Sequence, residues 1–313
     1  MGTFIIAMIM FLALVTIHEF GHFIVAKLSG IKVNEFAVGM GPEIFSRQNG
    51  ETKYSLRLLP IGGYCAMEGE DESSSDPRSY DNAPAFKRFL TILAGPVMNL
   101  LLAVIVFTIV AFNTGTSTTF VGGFSENSPA KEAGISADDQ IVAINNQNID
   151  EFTDISKILA DYYSKNAKDS PVEVVTKTTK GSEKTYNITP TFENDIPLLG
   201  ISSKMRNVNF IEAIGLGFKE TGRNVKMIFN ILGMLITGKL SFGALSGPVG
   251  VVKEIGNQAR NGAMSVLYFL SYISVNLAVF NLIPFPALDG SKLVTNLYEM
   301  ITKKRVNKKI EER

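Results

Sequence analysis

The sequence predicts a polytopic α-helical membrane protein with one folded domain inserted between its spans. Hydrophobic residues make up 46% of the 313 residues, and the mean hydropathy is +0.17. The apolar residues lie in three long blocks that are almost free of charge, and a stretch of ordinary soluble composition separates the second block from the third. Blocks of this length are typical of membrane spans, and the stretch between them is typical of a domain outside the bilayer.

The three predicted spans cover residues 4–28, 89–112 and 262–288. Each is long enough to cross a hydrocarbon core of roughly 30 Å at about 1.5 Å per residue. A cleaved signal peptide is the alternative for the first span. No Lys or Arg precedes Lys27 and no A-x-A cleavage site follows the apolar run, so we expect a retained helix.

Basic residues indicate how the spans are oriented. Lys and Arg are frequent between the first two spans, and the chain ends in the basic sequence TKKRVNKKIEER. Because cytoplasmic loops carry an excess of Lys and Arg, both segments are predicted to be cytoplasmic. The first and third spans then run in the same direction, and their ends reach the same side of the membrane.

Two cytoplasmic segments are predicted between the first two spans. Residues 31–70 alternate β-like runs around the turn sequence Gln48-Asn49-Gly50, which indicates a β-hairpin system. Within it, Lys53 to Leu59 is expected to present an exposed edge to which an extended peptide could pair. The polar sequence GEDESSSDPRSYDNAP is expected to be a mobile linker.

The soluble stretch from about Gly115 to Phe192 resembles a PDZ domain in its order of strands, loops and one helix. Such domains bind a peptide at a strand edge beside a glycine-containing loop. The Gly-Asp usual at one turn is Asp138-Asp139 here. After it, Asn209 to Leu240 mixes apolar and charged residues, which predicts amphipathic helices on the membrane surface before the sequence SGPVGVVKEIG.

The motif HEFGH at the end of the first span predicts a metal site. His18 and His22 are four residues apart, so on a helix they project from one face and can bind one zinc ion, with Glu19 beside them as a general base. A chance match is the alternative. These are the chain's only histidines, and ionisable groups inside a membrane helix are functional candidates by default.

A third metal ligand is predicted in the sequence NLIPFPALDG. Asp289 ends the third span, on the side of the membrane where the first span ends, and Pro284 and Pro286 interrupt the helix before it. A helix-end carboxylate in headgroup water is the alternative for Asp289 alone. Three protein ligands with an open position are typical of a catalytic zinc site, and hydrolysis of an amide follows from that pattern.

These motifs together resemble the site-2 protease family of intramembrane metalloproteases, and most closely the bacterial regulator of sigma-E protease branch with a single PDZ domain. The resemblance covers nearly the whole chain. It rests on HEFGHFIVAKLSGIKVNEFAVGMGP, YSLRLLPIGGYCAMEGE, RFLTILAGPVMN, SGPVG and NLIPFPALDG.

The resemblance implies a Zn²⁺ protease of the bacterial plasma membrane that cuts the membrane helix of a single-pass protein, such as a pre-trimmed anti-sigma factor. It implies that His18, His22 and Asp289 bind zinc, that Glu19 is the base and that Asn281 positions the substrate or its oxyanion. The PDZ-like domain would be extracytoplasmic and the active site would face the cytoplasmic side. Membrane lipid is an expected partner. Nucleic acid is not, since the formal net charge is zero.

The predicted domain boundaries follow from these assignments: the first transmembrane helix with HEFGH (1–30), the membrane-associated β-region and linker (31–85), the second transmembrane helix (86–113), the PDZ-like domain (114–195), the amphipathic helices and SGPVG segment (196–260), the third transmembrane segment with LDG (261–290) and a basic cytosolic tail (291–313).

Two departures from the family and two alternative functions accompany this prediction. The family's Asp-Gly-Gly is Asp289-Gly290-Ser291 here, and a usual fourth span is absent from the sequence. One alternative is a catalytically silent membrane adaptor that carries the PDZ-like domain, against which the retained Glu19 argues. The other is a peptidase for soluble substrates anchored by its first helix, against which the uncharged second and third spans argue.

Overall fold

The computed structural model describes residues 2–70, 72, 74–241, 243 and 247–305. The chain divides into two compact units, one of residues 1–110 and 210–313 and the other of residues 111–209. In chain order the helices are α1 (Gly2–Ser29), α2 (Ala85–Thr114), α3 (Pro129–Glu132), α4 (Phe152–Tyr163), α5 (Phe210–Ile236), α6 (Pro248–Arg260), α7 (Ala263–Asn281) and α8 (Asp289–Thr302). The strands are β1 (Val33–Asn49), β2 (Thr52–Met67), β3 (Thr116–Phe124), β4 (Gln140–Ile144), β5 (Gln147–Asn148), β6 (Val172–Lys177), β7 (Glu183–Ile188), β8 (Thr191–Glu193), β9 (Ile196–Leu198) and β10 (Ile201–Arg206).

Three helices of the described part of the chain are long and apolar enough to cross a membrane: α1, α2 and α7. They lie where the three spans were predicted. The third ends earlier than expected, at Asn281, because Pro284 and Pro286 lack the N–H groups that would continue the helix. The turn that follows places Ala287 at φ +70° and ends where α8 begins at Asp289.

The helices of the first unit pack closely around α1 and α2. Gly21 of α1 lies so near α2 that an added Cβ would come within 2.4 Å of the Ala94 carbonyl oxygen. On the other face of α2, Ala103 and Phe107 form a buried cluster with Ile228 of α5 and Val275 of α7. The predicted amphipathic segment is thus one long helix, α5, with one face packed against two apolar helices.

Strands β1 and β2 form one sheet, mostly antiparallel but with one parallel pairing, in which each strand folds back on itself. Residues 43–49 pair with 52–57, and residues 33–38 pair with 63–67. In addition, residues 35–38 pair with 53–56, with the numbers rising together. The order across the sheet is therefore 43–49, 52–57, 33–38 and 63–67.

The expected free edge at Lys53 to Leu59 is wrong. Tyr54 pairs with Arg47 on one side and with Phe36 on the other, so its segment is internal to the sheet. The hairpin turn at Gln48-Asn49-Gly50 was predicted correctly, but the order of segments depends on long-range pairing that a local turn signal does not carry. The edges of this sheet are residues 43–49 and 63–67.

The expected mobile linker is also wrong for the described residues between β2 and α2. Ser79 and Tyr80 are buried, and Tyr80 packs against Ile31 of the sheet's core. The Tyr80 N–H donates to the Glu68 carbonyl oxygen at 2.7 Å, and Lys32 N–H donates to the Arg78 carbonyl oxygen at 2.9 Å. Tyr80, the one aromatic residue in this polar sequence, thus fixes the segment in place by packing into the core. Asp71 and Ser73 of the predicted linker lie outside the described residues.

The predicted basic tail begins with a helix. In α8, Leu293 packs into the same core as Tyr80, and the Asn296 amide donates to the Tyr80 hydroxyl at 3.0 Å. Glu299 forms an ion pair with Arg88 of α2, and both side chains are buried. Apolar residues recur three and four positions apart in LVTNLYEMI, as is typical of a helix, but among them only Leu293 is buried. Residues 306–313 of the predicted tail, and Ser246 of the SGPVG segment, lie outside the described residues.

The second unit is a small sheet domain with one principal helix. Its sheet has the order β10-β3-β4-β6-β7, with β5 paired to β4, and a separate hairpin joins β8 and β9. The side chains of Val121, Ile141, Val174 and Leu159 form its fully buried centre, where the sheet packs against α4.

The predicted boundary of the second unit was too early. It was placed at residue 195, but β9 and β10 follow, and Arg206 of β10 pairs with Thr116 of β3. The alternation in ISSKMR is weak because most of these side chains are exposed, so the sequence pattern gave little signal for a strand. The first and last strands of the domain are consequently neighbours.

Candidate metal centre

The two histidines of HEFGH lie on one face of α1 and point into the first unit. His18 and His22 are each about 6% exposed, although α1 is otherwise apolar. Their Nε2 atoms are 3.2 Å apart, and the two rings are nearly perpendicular at a centroid distance of 4.8 Å. The four-residue spacing of a helix brings both rings to one point, as the sequence predicted.

Asp289 reaches the same point from the far end of the chain. Its Oδ2 atom lies 2.9 Å from His18 Nε2 and 3.4 Å from His22 Nε2. The position depends on Gly290, where an added Cβ would lie 2.1 Å from the Ile283 carbonyl oxygen. The turn before α8 and the absence of a side chain at Gly290 together bring the carboxylate to the histidines.

The three donor atoms fit one tetrahedral metal ion. A zinc ion with ligand distances of roughly 2.0 Å would separate its donors by about 3.3 Å. The three separations in the structure are 2.9, 3.2 and 3.4 Å. Two imidazole nitrogens whose lone pairs converge at this distance need a cation between them, and a carboxylate completes the charge balance. The donor set therefore fits Zn²⁺.

The other nitrogen of each imidazole is held by α2. His22 Nδ1 lies 2.8 Å from the Thr91 carbonyl oxygen, to which it donates, so Nε2 keeps its lone pair for a metal. His18 Nδ1 lies 3.0 Å from the Asn99 side-chain nitrogen, and Asn99 Oδ1 is buried without a partner. With the amide oxygen and nitrogen of Asn99 exchanged, Oδ1 would accept a hydrogen bond from a protonated His18 Nδ1, which leaves His18 Nε2 its lone pair for a metal.

Gly95 of α2 leaves the space that the two rings occupy. An added Cβ there would lie 2.4 Å from His22 Nε2 and 2.8 Å from His18 Nε2. Real Cβ atoms do not approach so closely, and the contact would fall on the two Nε2 nitrogens that fit a metal ion. Glycine at this position is a geometric requirement of the site.

Glu19 lies beside the histidines and is held by the β-sheet. Its Oε2 atom accepts a hydrogen bond from the Cys65 backbone N–H at 3.1 Å. The described donor atoms that lie within 4.8 Å of one another belong to His18, His22 and Asp289, and the Cys65 thiol is not among them. Glu19 thus lies close to His18, His22 and Asp289, and the edge segment 63–67 lies against it.

Asn281, the last residue of α7, also reaches the site. Its side-chain nitrogen lies 3.5 Å from His18 Nε2. All five predicted site residues are therefore brought together by α1, α7 and the start of α8. Thr91, Gly95 and Asn99 of α2 also contact the site and were not predicted from the sequence, although they are spaced four residues apart. The polar and small residues at that interval in an apolar helix were the available signal.

The fold and this site define a class, that of membrane-embedded metallopeptidases. The family model described as Peptidase family M50 matches residues 6–313, and the chain belongs to that family, the site-2 proteases. The resemblance to the site-2 protease family is confirmed, whereas the regulator of sigma-E protease branch and the single PDZ domain stay predictions.

Relatives named as zinc metalloproteases share most of this chain. The protein from Clostridium acetobutylicum is 40% identical over 306 residues, covering 97% of this chain and 88% of its own length. The protein from Clostridium perfringens is 40% identical, covering 96% and 89%, and that from Fusobacterium nucleatum is 34% identical, covering 99% and 92%. The predictions of a zinc metalloprotease and of a membrane location are confirmed.

Proposed function

We propose that this chain is an intramembrane protease that hydrolyses peptide bonds within the transmembrane segment of single-pass membrane proteins. The observation that carries the proposal is the placement of His18 and His22, buried inside a helix apolar enough to span a membrane, together with Asp289. A peptide bond that reaches these donors must approach from within or beside the bilayer.

Each residue of the site has a role in this proposal. His18, His22 and Asp289 hold the metal, which when bound would polarise the scissile carbonyl and lower the pKa of a nearby water. Glu19 takes the proton from the attacking water and gives it to the leaving amide nitrogen. Asn281 donates from its side-chain amide to the substrate carbonyl oxygen as negative charge develops there. Thr91 and Asn99 keep the imidazoles in the orientation that the metal needs.

The edge segment 63–67 is the surface on which a substrate would be held. On its inner side it pairs with residues 33–38, and no other described strand pairs with its outer side. Cys65 directs its N–H outward to Glu19, and in an antiparallel strand the N–H of Gly63 then points the same way. An unwound substrate helix adding as a strand here would lie beside the base.

Further features support the topology predicted from the sequence. At one end of the same sheet the side chains of Met40, Phe45, Leu58 and Ile61 are about half exposed or more, as expected for a sheet that dips into lipid. We place this side in the cytoplasm of a bacterial cell and the second unit, a PDZ-like domain, outside it, where it would screen substrates by size. An anti-sigma factor already trimmed on its outer side is the substrate class that this arrangement suits.

The test compares cleavage by wild type, Glu19→Gln and His22→Ala in cells that co-express a library of tagged single-pass proteins. Wild type should release cleaved fragments. Glu19→Gln should keep zinc yet slow cleavage at least about a hundredfold, because the amide cannot accept the proton. His22→Ala should lose both zinc and cleavage.

Two results would contradict the proposal. If wild type and Glu19→Gln released equal amounts of fragments, Glu19 would be excluded as the general base. If zinc-loaded wild type cleaved no member of the library, the catalytically silent membrane adaptor would be favoured instead. Zinc content per chain, measured on each purified protein, separates failure of the metal site from failure of the chemistry.

A further inference from the structure

A basic pocket lies at one end of the first unit, away from the metal centre. It is a cavity of about 270 Å³ between the start of α2 and the end of α8, and its charged lining residues are Arg88, Glu299, Lys303, Lys304 and Arg305. None of these residues takes part in the site described above.

The charges of the basic pocket are unbalanced. Arg88 and Glu299 form a buried ion pair, so their two charges cancel. The side chains of Lys303 and Lys304 make neither an ion pair nor a side-chain hydrogen bond to any described residue, and both are exposed. Arg305 donates to the backbone carbonyl oxygen of Asp81 at 2.8 Å, which leaves its charge in place. Three cations therefore surround one cavity at the end of an apolar helix.

Apolar side chains are exposed on the same two helices. Phe86 and Leu90 are one turn apart on α2 and are 56% and 36% exposed. Leu297 and Ile301 are one turn apart on α8 and are 45% and 73% exposed. Phe86 follows the lining residue Ala85 and Ile301 comes two positions before the lining residue Lys303, so both rows end close to the pocket. The hydrocarbon chains of a lipid whose headgroup entered the pocket would cover such apolar side chains, whereas a free anion would not.

We propose that the basic pocket binds the phosphate headgroup of an anionic phospholipid whose acyl chains lie along these apolar rows. Positive pockets at the membrane-facing ends of helices bind such headgroups, and each nearby Lys or Arg adds to the attraction. The inference rests on the membrane location of the chain and is independent of the cleavage proposed above. A free phosphate would satisfy the cations but not the apolar rows.

The test measures lipid retention by native mass spectrometry of the full chain, reconstituted in bilayers of phosphatidylcholine with or without phosphatidylglycerol. Wild type should retain phosphatidylglycerol. The double variant Lys303→Asn with Lys304→Gln should bind it roughly thirtyfold more weakly, because two cations are lost. Asparagine is chosen at position 303 because φ there is 57°, a left-handed conformation that asparagine tolerates.

The matched control is Lys180→Gln with Lys184→Gln, which removes two exposed lysines from the second unit and should leave retention unchanged. Zinc content and circular dichroism show that both variants are folded. Equal retention by the pocket variant and wild type overturns the proposal. Displacement of the lipid by inorganic phosphate at equal concentration also overturns it, because the pocket would then be a free-anion site.

Discussion

Gly95 lies where any larger side chain would enter the space between His18 and His22. Replacing it with alanine adds one carbon atom at 2.4 Å from a metal-facing nitrogen, and the packing of the other face of α2 against Ile228 of α5 and Val275 of α7 opposes a movement of α2 away from the rings. We expect Gly95→Ala to lose most of its zinc while the protein remains folded. Zinc per chain by atomic absorption measures this.

A second glycine provides the control for this substitution. Gly215 of α5 is exposed and helical, and an added Cβ would meet nothing within 4 Å. Gly215→Ala should bind zinc as wild type does and should be slightly more stable, since alanine is the better helix former. Full zinc occupancy in Gly95→Ala would show that the rings have more room than the distances indicate.

A further prediction for a single residue concerns Asn99 and its effect on zinc affinity. If its amide oxygen accepts from His18 Nδ1, then Asn99→Asp keeps the acceptor and Asn99→Leu removes it. Zinc affinity, measured by competition with a chelator, should fall roughly 10- to 100-fold in Asn99→Leu and stay near wild type in Asn99→Asp. Equal affinities in all three proteins would mean that Asn99 fills space and does not orient the ring.

Among the elements, the sheet of β1 and β2 determines how a substrate could be held. The proposed edge at residues 63–67 directs N–H groups outward at every second residue, so pairing should depend on alternate amides of the substrate. We expect N-methylation of a substrate peptide to slow cleavage with a period of two residues. The peptide methylated at the intervening positions is the matched control.

An effect of N-methylation that is the same at every substrate position would exclude pairing at this edge. If N-methylation at every position had the same effect, or none, the substrate would have to be held by its side chains or by Asn281. This test leaves the protein unchanged, which matters because a Cβ at Gly63 would lie 2.7 Å from the Ala37 carbonyl oxygen and a proline there would disrupt the sheet.

The elements also show how much of the fold and of the site could be predicted from the sequence alone. The apolar helices, HEFGH and Asp289 were predictable because helical spacing and buried charge are local signals. The order of the four sheet segments was not, since parallel pairing of residues 35–38 with 53–56 depends on contacts between distant parts of the chain. Tyr80 and α8 were missed because overall polarity concealed the few side chains that pack.

For the whole molecule, the second unit should be removable without loss of the metal site. Gly115 lies against Arg206, where an added Cβ would be 2.4 Å from the carbonyl oxygen, so the two chain ends of this unit are adjacent. We expect a variant in which a short Gly-Ser linker replaces residues 116–206 to bind zinc normally and to cleave substrates whose outer domains are intact, which wild type should spare.

The control for this deletion is a substrate already trimmed on its outer side, which both proteins should cut. Gel analysis of tagged substrates in cells gives both readouts. If the deleted protein cut the trimmed substrate and still spared the intact one, the second unit would have no part in selecting substrates by size.

The separation of the metal ligands along the chain determines when the protein can first act. His18 and Asp289 are 271 positions apart in sequence yet share one point in the fold. A ribosome makes the two histidines almost at once, and it makes the carboxylate only 271 positions after His18. A chain whose synthesis has not yet passed Asp289 therefore enters the membrane without a complete set of metal ligands, and it cannot yet hold the ion.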